Sequence, residues 1–232
     1  MRIGIMGGTF NPIHYGHLVV AAEAGDQFKL DNIVFIPSGT PPHKDSSDIA
    51  PAKARYEMTR LATRSNPLFS ISSLEIERGG KSYSVETVER LLAAYGKEAQ
   101  IYFIVGVDSM LEIESWKNVD ELLKLCEFIV ALRPGFNVEE INPAVRKRSH
   151  IMKIPEIGIS ATDVRKRIKE GKSIRYLVTL EVEEYIRRYS LYTEKEGESC
   201  QKKKKKVKWR KWSEELTTFP LCLRLAVQYL PR

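Results

Sequence analysis

Short unbroken apolar runs recur along the chain: Ile3 to Met6, Ile33 to Ile36, Ile101 to Val105 and Phe128 to Leu132. They lack the in-out alternation of a strand with one wet face and fit strands buried on both sides of a parallel sheet. Between them the period changes to that of helices. Ala54, Met58, Leu61 and Ala62 share one helical face, as do Val85, Val88, Leu91 and Leu92, and Val182, Tyr185, Ile186 and Tyr189. A further helical pattern starts at Leu18. This alternation predicts an α/β fold, a doubly wound parallel sheet with helices on both faces.

Loops are marked by Pro37-Ser-Gly-Thr-Pro-Pro42, Gly79-Gly80 and Arg133-Pro-Gly135. Loops that follow strand C-termini are where such sheets place ligands. No internal repeat is visible. A domain boundary falls near Gly197, giving a body at residues 1–196 and an extension at 197–232 that is expected to be disordered or loosely packed.

Charge sharpens that division. The chain has 37 Lys and Arg against 30 Asp and Glu, but ten of the former and two of the latter lie at 200–232. Residues 1–199 are left with 27 against 28, so the basic balance belongs to the extension and does not make the body a binder of nucleic acid. No stretch approaches the roughly 20 apolar residues of a membrane span. The apolar run after Arg2 breaks at Gly7-Gly8, too early for a signal-peptide core, and a cytoplasmic protein is expected. Three scattered cysteines, Cys126, Cys200 and Cys222, support neither a disulfide framework nor a zinc site.

Two segments carry chemistry. The first apolar run ends in Gly7-Gly-Thr-Phe-Asn-Pro-Ile-His-Tyr-Gly-His17. Glycines allow backbone N–H groups close to a phosphate, and a helix start beyond them adds partial positive charge. His14 and His17, three apart, can face one anion from one side of that helix. The residues alone also allow a tight turn at Gly7-Gly8 with the histidines as caps. The spacing is neither a dinucleotide GxGxxG fingerprint nor a Walker loop. Later, Gly158-Ile-Ser-Ala-Thr-Asp-Val-Arg165 opens a helix with Ser160 or Thr162 as cap. There a hydroxyl and a guanidinium can both serve a phosphate, although a capped basic helix start is common on surfaces.

Taken together, the two segments resemble the HxGH superfamily of nucleotidyltransferases, with His14-Tyr-Gly-His17 as its signature and Ile159-Ser-Ala-Thr-Asp-Val-Arg165 close to its ISSTxxR pattern. Within that superfamily the chain is similar to the bacterial nicotinate mononucleotide adenylyltransferases. The closer likeness rests on Gly7-Gly-Thr-Phe-Asn-Pro12, Pro41-Pro-His-Lys44, Tyr83-Ser-Val-Glu-Thr87, Gly106-Val-Asp108, Ser115-Trp-Lys117, Leu132-Arg-Pro-Gly135 and Glu183 to Tyr192. It spans residues 1 to about 193. Ala161 stands where the pattern has serine, and Thr179 where proline is usual.

The resemblance implies a Rossmann-like nucleotidyltransferase fold. It also implies adenylyl transfer from ATP to nicotinate mononucleotide, with Mg²⁺ accompanying the triphosphate and pyrophosphate leaving as nicotinate adenine dinucleotide forms in NAD biosynthesis. By the same resemblance His17 meets the α-phosphate, while His14, Ser160 and Arg165 hold the triphosphate. Gly7, Gly8, Thr9, Phe10 and Ile159 line the ATP path, and Gly106 and Asp108 the adenosine side. His14, His17 and Arg165 are the expected catalytic residues, and no protein-held metal is expected.

For the pyridine end, a flat ring wants an aromatic platform, which Trp116 supplies, and a ring carboxylate wants N–H donors and a cation, which the Thr87 backbone and Lys117 offer. Trp116 also reads as a rim residue over the core. Lys44 is expected at the mononucleotide phosphate, or else as a solvated loop charge. Nicotinamide mononucleotide, phosphopantetheine and cytidylyl-type transferases would share both motifs and differ in the acceptor pocket. A nucleic-acid or membrane-surface binder built on the same scaffold is disfavoured by the neutral body. Neither a specific nucleic-acid partner nor a transmembrane segment is expected, and an oligomer is left open. For the extension, where Lys202 to Lys206 precede interleaved Trp209 and Trp212, an appendage without function is favoured over a polyanion- or membrane-binding arm and a localisation signal.

Overall fold

The computed structural model describes residues 1–40, 49–96, 98–132 and 141–193. Lys44, the loop at 133–135 and the 197–232 extension lie outside the described residues.

Among the described residues, six strands form one wholly parallel sheet: β1 (Arg2–Gly8), β2 (Asn32–Pro37), β3 (Phe69–Ile71), β4 (Gln100–Gly106), β5 (Glu127–Leu132) and β6 (Ser149–Lys153). Their order across the sheet is β3-β2-β1-β4-β5-β6. The helices, in chain order, are α1 (Tyr15–Phe28), α2 (Ala52–Thr63), α3 (Leu74–Arg78), α4 (Ser84–Tyr95), α5 (Val107–Leu111), α6 (Val119–Leu125), α7 (Pro143–Arg146), α8 (Ala161–Lys169) and α9 (Leu180–Tyr189).

Successive side chains of a strand point to opposite faces, and the continuous apolar runs accordingly feed two cores. Ile33, Phe35, Ile104 and Ile129 pack on one face with Met58, Val164, Val182 and Ile186 from α2, α8 and α9. Ile3, Ile5, Val34, Phe103, Phe128 and Val130 pack on the other with Val85, Val88 and Leu91 of α4 and Leu122 of α6. All four predicted strands are present. The two that periodicity missed, β3 and β6, are the sheet's edges. No residue of β3 is fully buried, and only Met152 is in β6, so neither needs a continuous apolar run.

The topology fixes where a ligand can sit. After β1 the chain winds outward to β2 and β3, then returns to place β4 on the other side of β1. At such a reversal the connections leave in opposite directions and open a crevice beyond the strand C-termini. The strands flanking it end in Gly7-Gly8 and Gly106.

Candidate active site

Beyond β1 the loop turns through Phe10, whose φ of 45° is left-handed and unfavourable for an aromatic residue. Burial holds it there: Phe10 is 2% exposed, with its ring 5.9 Å from Phe35 and edge-on to His17 at 5.1 Å. The His17 ring therefore has an apolar wall on one side. His14, 7% exposed, packs against the same ring, with ring centroids 3.8 Å apart and planes tilted by 32°.

His14 is the N-cap of α1, and its backbone N–H donates to His17 Nδ1 at 3.3 Å. The capping reading is thereby met at the start of α1. With Nδ1 accepting, a neutral His17 carries its proton on Nε2. Gly16 lies against both motifs. A Cβ there would stand 3.0 Å from the His14 ring and in ordinary contact, 3.5 Å, with the carbonyl of Ile159, so a side chain would have to shift the His14 ring by a few tenths of an ångström.

Ile159 leads into α8, and Ser160 caps that helix: its Oγ accepts from the Asp163 N–H at 3.1 Å and donates to Asp163 Oδ2 at 2.6 Å. Its hydroxyl proton is thereby committed within the helix start. Arg165, one turn further on, is half-buried and donates from Nη1 to the Asn11 carbonyl at 2.9 Å. Its remaining donors stay beside the loop that carries the histidines.

Sequence reading did not find what braces this loop. Arg55 of α2 is 1% exposed and has three carbonyls for partners: Ala50 O (3.0 Å, from Nε), Thr9 O (2.8 Å, from Nη1) and Gly39 O (2.8 Å, from Nη2). One guanidinium fork ties the loops after β1 and β2 to the start of α2. Burial lowers its pKa, but guanidinium stays charged under any relevant condition. Asn11 is a second hub. Its Oδ1 accepts from the Ala50 N–H at 3.0 Å and from the Tyr192 hydroxyl at 2.8 Å. Burial pushes the Tyr192 phenol up, against the pull of Arg165 and Arg55, so it remains a donor. The available signal was that Arg55 shares a helical face with Thr59 and Ala62, an otherwise buried stripe.

On the far side of the crevice, Gly106 caps α5, and a Cβ built on it meets nothing within 4 Å, which leaves its backbone open to a ligand. Asp108, in the first turn of α5, is exposed. Trp116 is half-buried, edge-on to Phe103 at 5.7 Å. Phe103 in turn lies under Gly7, 3.4 Å from where that residue's Cβ would be. One ring therefore separates Trp116 from the phosphate loop. Lys117 Nζ lies 4.1 Å over the Tyr83 ring and 3.0 Å from Glu86 Oε1.

Thr87 requires a correction. Its backbone N–H, expected as a donor to a ring carboxylate, already donates to Tyr83 O at 3.2 Å, and its buried hydroxyl donates to Glu75 Oε1 at 2.8 Å. The amides that a helix start leaves without intrahelical partners come earlier, at Ser84, Val85 and Glu86. The spacing of the motif does not show which amides of the helix start are already bonded, and that of Thr87 is.

Comparison with known proteins gives a consistent picture. Residues 5–167 match the family model described as Cytidylyltransferase-like. The chain is 52% identical over 198 residues to a protein of Moorella thermoacetica named "Probable nicotinate-nucleotide adenylyltransferase", covering 82% of this chain and 91% of that one. It is 45% identical over 203 residues to a protein of the same name from a Thermoanaerobacter species, covering 84% and 96%. Among solved structures, the Plasmodium falciparum nicotinic acid mononucleotide adenylyltransferase complexed with NaAD superposes with a TM-score of 0.69 at 20% identity, covering 82% of this chain and 97% of that one. That likeness establishes the fold alone. The chain belongs to the cytidylyltransferase-like family and, within it, to the nicotinate-nucleotide adenylyltransferases.

Proposed function

We infer that this protein is a nicotinate-nucleotide adenylyltransferase, transferring the adenylyl group of ATP to nicotinate mononucleotide in NAD biosynthesis. The observation that carries the reading is the convergence of His14, His17, Ile159 and Arg165 on one crevice at the sheet's reversal, within a chain so similar to proteins of that name. An oxygen of the mononucleotide 5′-phosphate attacks the α-phosphorus of ATP, the bond to the bridging oxygen breaks, and pyrophosphate carries that electron pair away. Such transfer needs alignment and charge neutralisation rather than a covalent nucleophile.

His17 Nε2–H donates to the α-phosphate, where charge develops. His14 and Arg165 hold the β- and γ-phosphates, and the N–H groups at the start of α8 serve the same anion. Gly7, Gly8, Thr9 and Phe10 shape the phosphate path, Gly106 and Asp108 the adenosine side, and Trp116 stacks on the pyridine ring. The donors at this loop are imidazole, guanidinium and N–H, a set that suits phosphate oxygens rather than a divalent cation. Mg²⁺ therefore enters with ATP, and when bound it neutralises triphosphate charge.

Residues 1–196 form the catalytic domain. The charged substrates place the reaction in the cytoplasm, and no helix among the described residues is long and apolar enough to cross a membrane. Pyrophosphate release by the full chain, measured with ATP and, in turn, nicotinate mononucleotide, its amide analogue, phosphopantetheine and glycerol phosphate, tests the reading. Turnover is expected with the first, and turnover confined to either of the last two would overturn it.

A further inference from the structure

Glu86, in the first turn of α4, receives two cations at once. Lys117 Nζ lies 3.0 Å from its Oε1 and Arg78 Nη1 2.5 Å from its Oε2. Arg78 is mostly buried, at 14% side-chain exposure, and its other arm donates to Lys81 O at 3.0 Å, so it stays in place. Lys117 is 44% exposed on a flexible stem, steadied by the Tyr83 ring. Trp116 is its immediate neighbour in the chain.

We propose that Glu86 is a specificity-determining residue, an internal rival for the carboxylate of the acceptor. It occupies Lys117 when the pocket is empty, and so sets how strongly the pocket prefers a ring acid over a ring amide. This rests on the reading above, in which Lys117 and Trp116 face the pyridine ring. A ring carboxylate approaching Lys117 has to displace Glu86 or share the lysine with it. A ring amide brings no charge and meets no such competition. The carboxyl of Glu86 is held below its usual range, first by the hydrogen bond from Lys117 and then by nearby charges including Arg78, so the rival is ionised at neutral pH.

Glu86→Gln isolates the charge. The carbonyl oxygen of Gln still accepts from Lys117, the Tyr83 ring still carries the ammonium, and the net charge of the three-residue cluster rises from +1 to +2. An exposed ion pair is worth about a factor of two to five in binding. The KM for nicotinate mononucleotide is therefore expected to fall by about two- to fivefold while that for nicotinamide mononucleotide is unchanged, and the difference should shrink as salt is raised. In a Lys117→Gln background the same change should have no effect, because the rival then has nothing to contest. Titration calorimetry with each mononucleotide, without ATP, reads the same ratio independently of turnover. An unchanged or raised KM for the acid, equal shifts for both acceptors, or an effect that survives Lys117→Gln would overturn the proposal. A parent protein that turns over and binds neither mononucleotide refutes the assigned function, and the proposal with it. A parent that binds the acid, with no tightening in Glu86→Gln, refutes the proposal alone.

Discussion

The two sides of the crevice are built by opposite means. On the proposed phosphate side, buried or half-buried side chains are bonded to backbone groups: Arg55 to three carbonyls, Arg165 to Asn11 O, and the His17 ring to the N–H of His14. On the acceptor side, Arg78, Glu86 and Lys117 are joined by ion pairs at the rim, with Glu86 and Lys117 over a third exposed. A buried group bonded to backbone has few alternative positions, whereas an exposed pair exchanges partners at little cost. On the proposed function, the transfer chemistry sits on the rigid side and the choice of acceptor on the adjustable one. Substitutions on the two sides should differ in kind, with rate and stability lost on one and selectivity altered on the other.

The largest effect is expected from His17→Ala. A donor aimed at charge that develops in the transition state contributes more there than in the ground state, and its loss should lower kcat by about 10² to 10³. The KM values should move little, and circular dichroism should report an intact fold, since the ring is only partly enclosed. Near-normal turnover would remove His17 from the mechanism and make its contact with His14 purely a cap.

Arg55→Leu should act on stability instead. It strands three carbonyls that the guanidinium served, a cost of about 3–5 kcal/mol. For a body of this size that is a fall in Tm of roughly 6–20 °C. Arg55→Lys, whose ammonium reaches some of the same carbonyls, should lie between. If thermal melting hardly changes in Arg55→Leu, the loops after β1 and β2 are held by something other than the fork, and the rigid side is less rigid than its hydrogen bonds indicate.

Arg55 also shows where sequence reading stops. The buried strands and the amphipathic faces of α2, α4 and α9 were legible because burial imposes a period on hydrophobic residues. His14, His17 and Arg165 were legible because they sit in short motifs whose spacing is local. Arg55, Asn11 and Tyr192 act through hydrogen bonds between residues far apart in the chain, up to 181 residues for the Tyr192 hydroxyl and Asn11 Oδ1. Nothing in the spacing of an arginine on α2 says that its partners are the carbonyls of residues 9, 39 and 50. The Thr87 error has the same root, since the motif does not tell which amide of a helix start is already spent.

Lys117→Glu probes the adjustable side. Charge reversal beside Glu86 places two carboxylates where the acid acceptor brings a third, so kcat/KM for nicotinate mononucleotide should fall by about tenfold or more relative to the amide analogue, as for like charges brought together in an interface. Stability should fall by about 1 kcal/mol, the scale of an exposed ion pair, because the contacts with Glu86 and the Tyr83 ring are lost. Equal losses for both acceptors would mean that charge at this position does not set the choice, and would leave the α4 amides at 84–86 to do so.

The smallest effect is expected from truncation after Gly197, which removes a segment that neither side of the comparison uses. The contacts bracing the crevice come from residues up to Tyr192, and the family match ends at residue 167. The removed segment holds ten basic residues and three acidic ones. Adenylyl transfer and thermal stability should therefore stay nearly unchanged, while retention on heparin should largely disappear because most of the excess positive charge is gone. Loss of turnover or a lowered Tm would show that the extension packs on the body. The body would then extend beyond residue 196, and Tyr192, next to the last residue described, would be the natural place to look for the contact. Its hydroxyl already reaches the loop that carries the histidines, and whatever shifts it acts on the rigid side first.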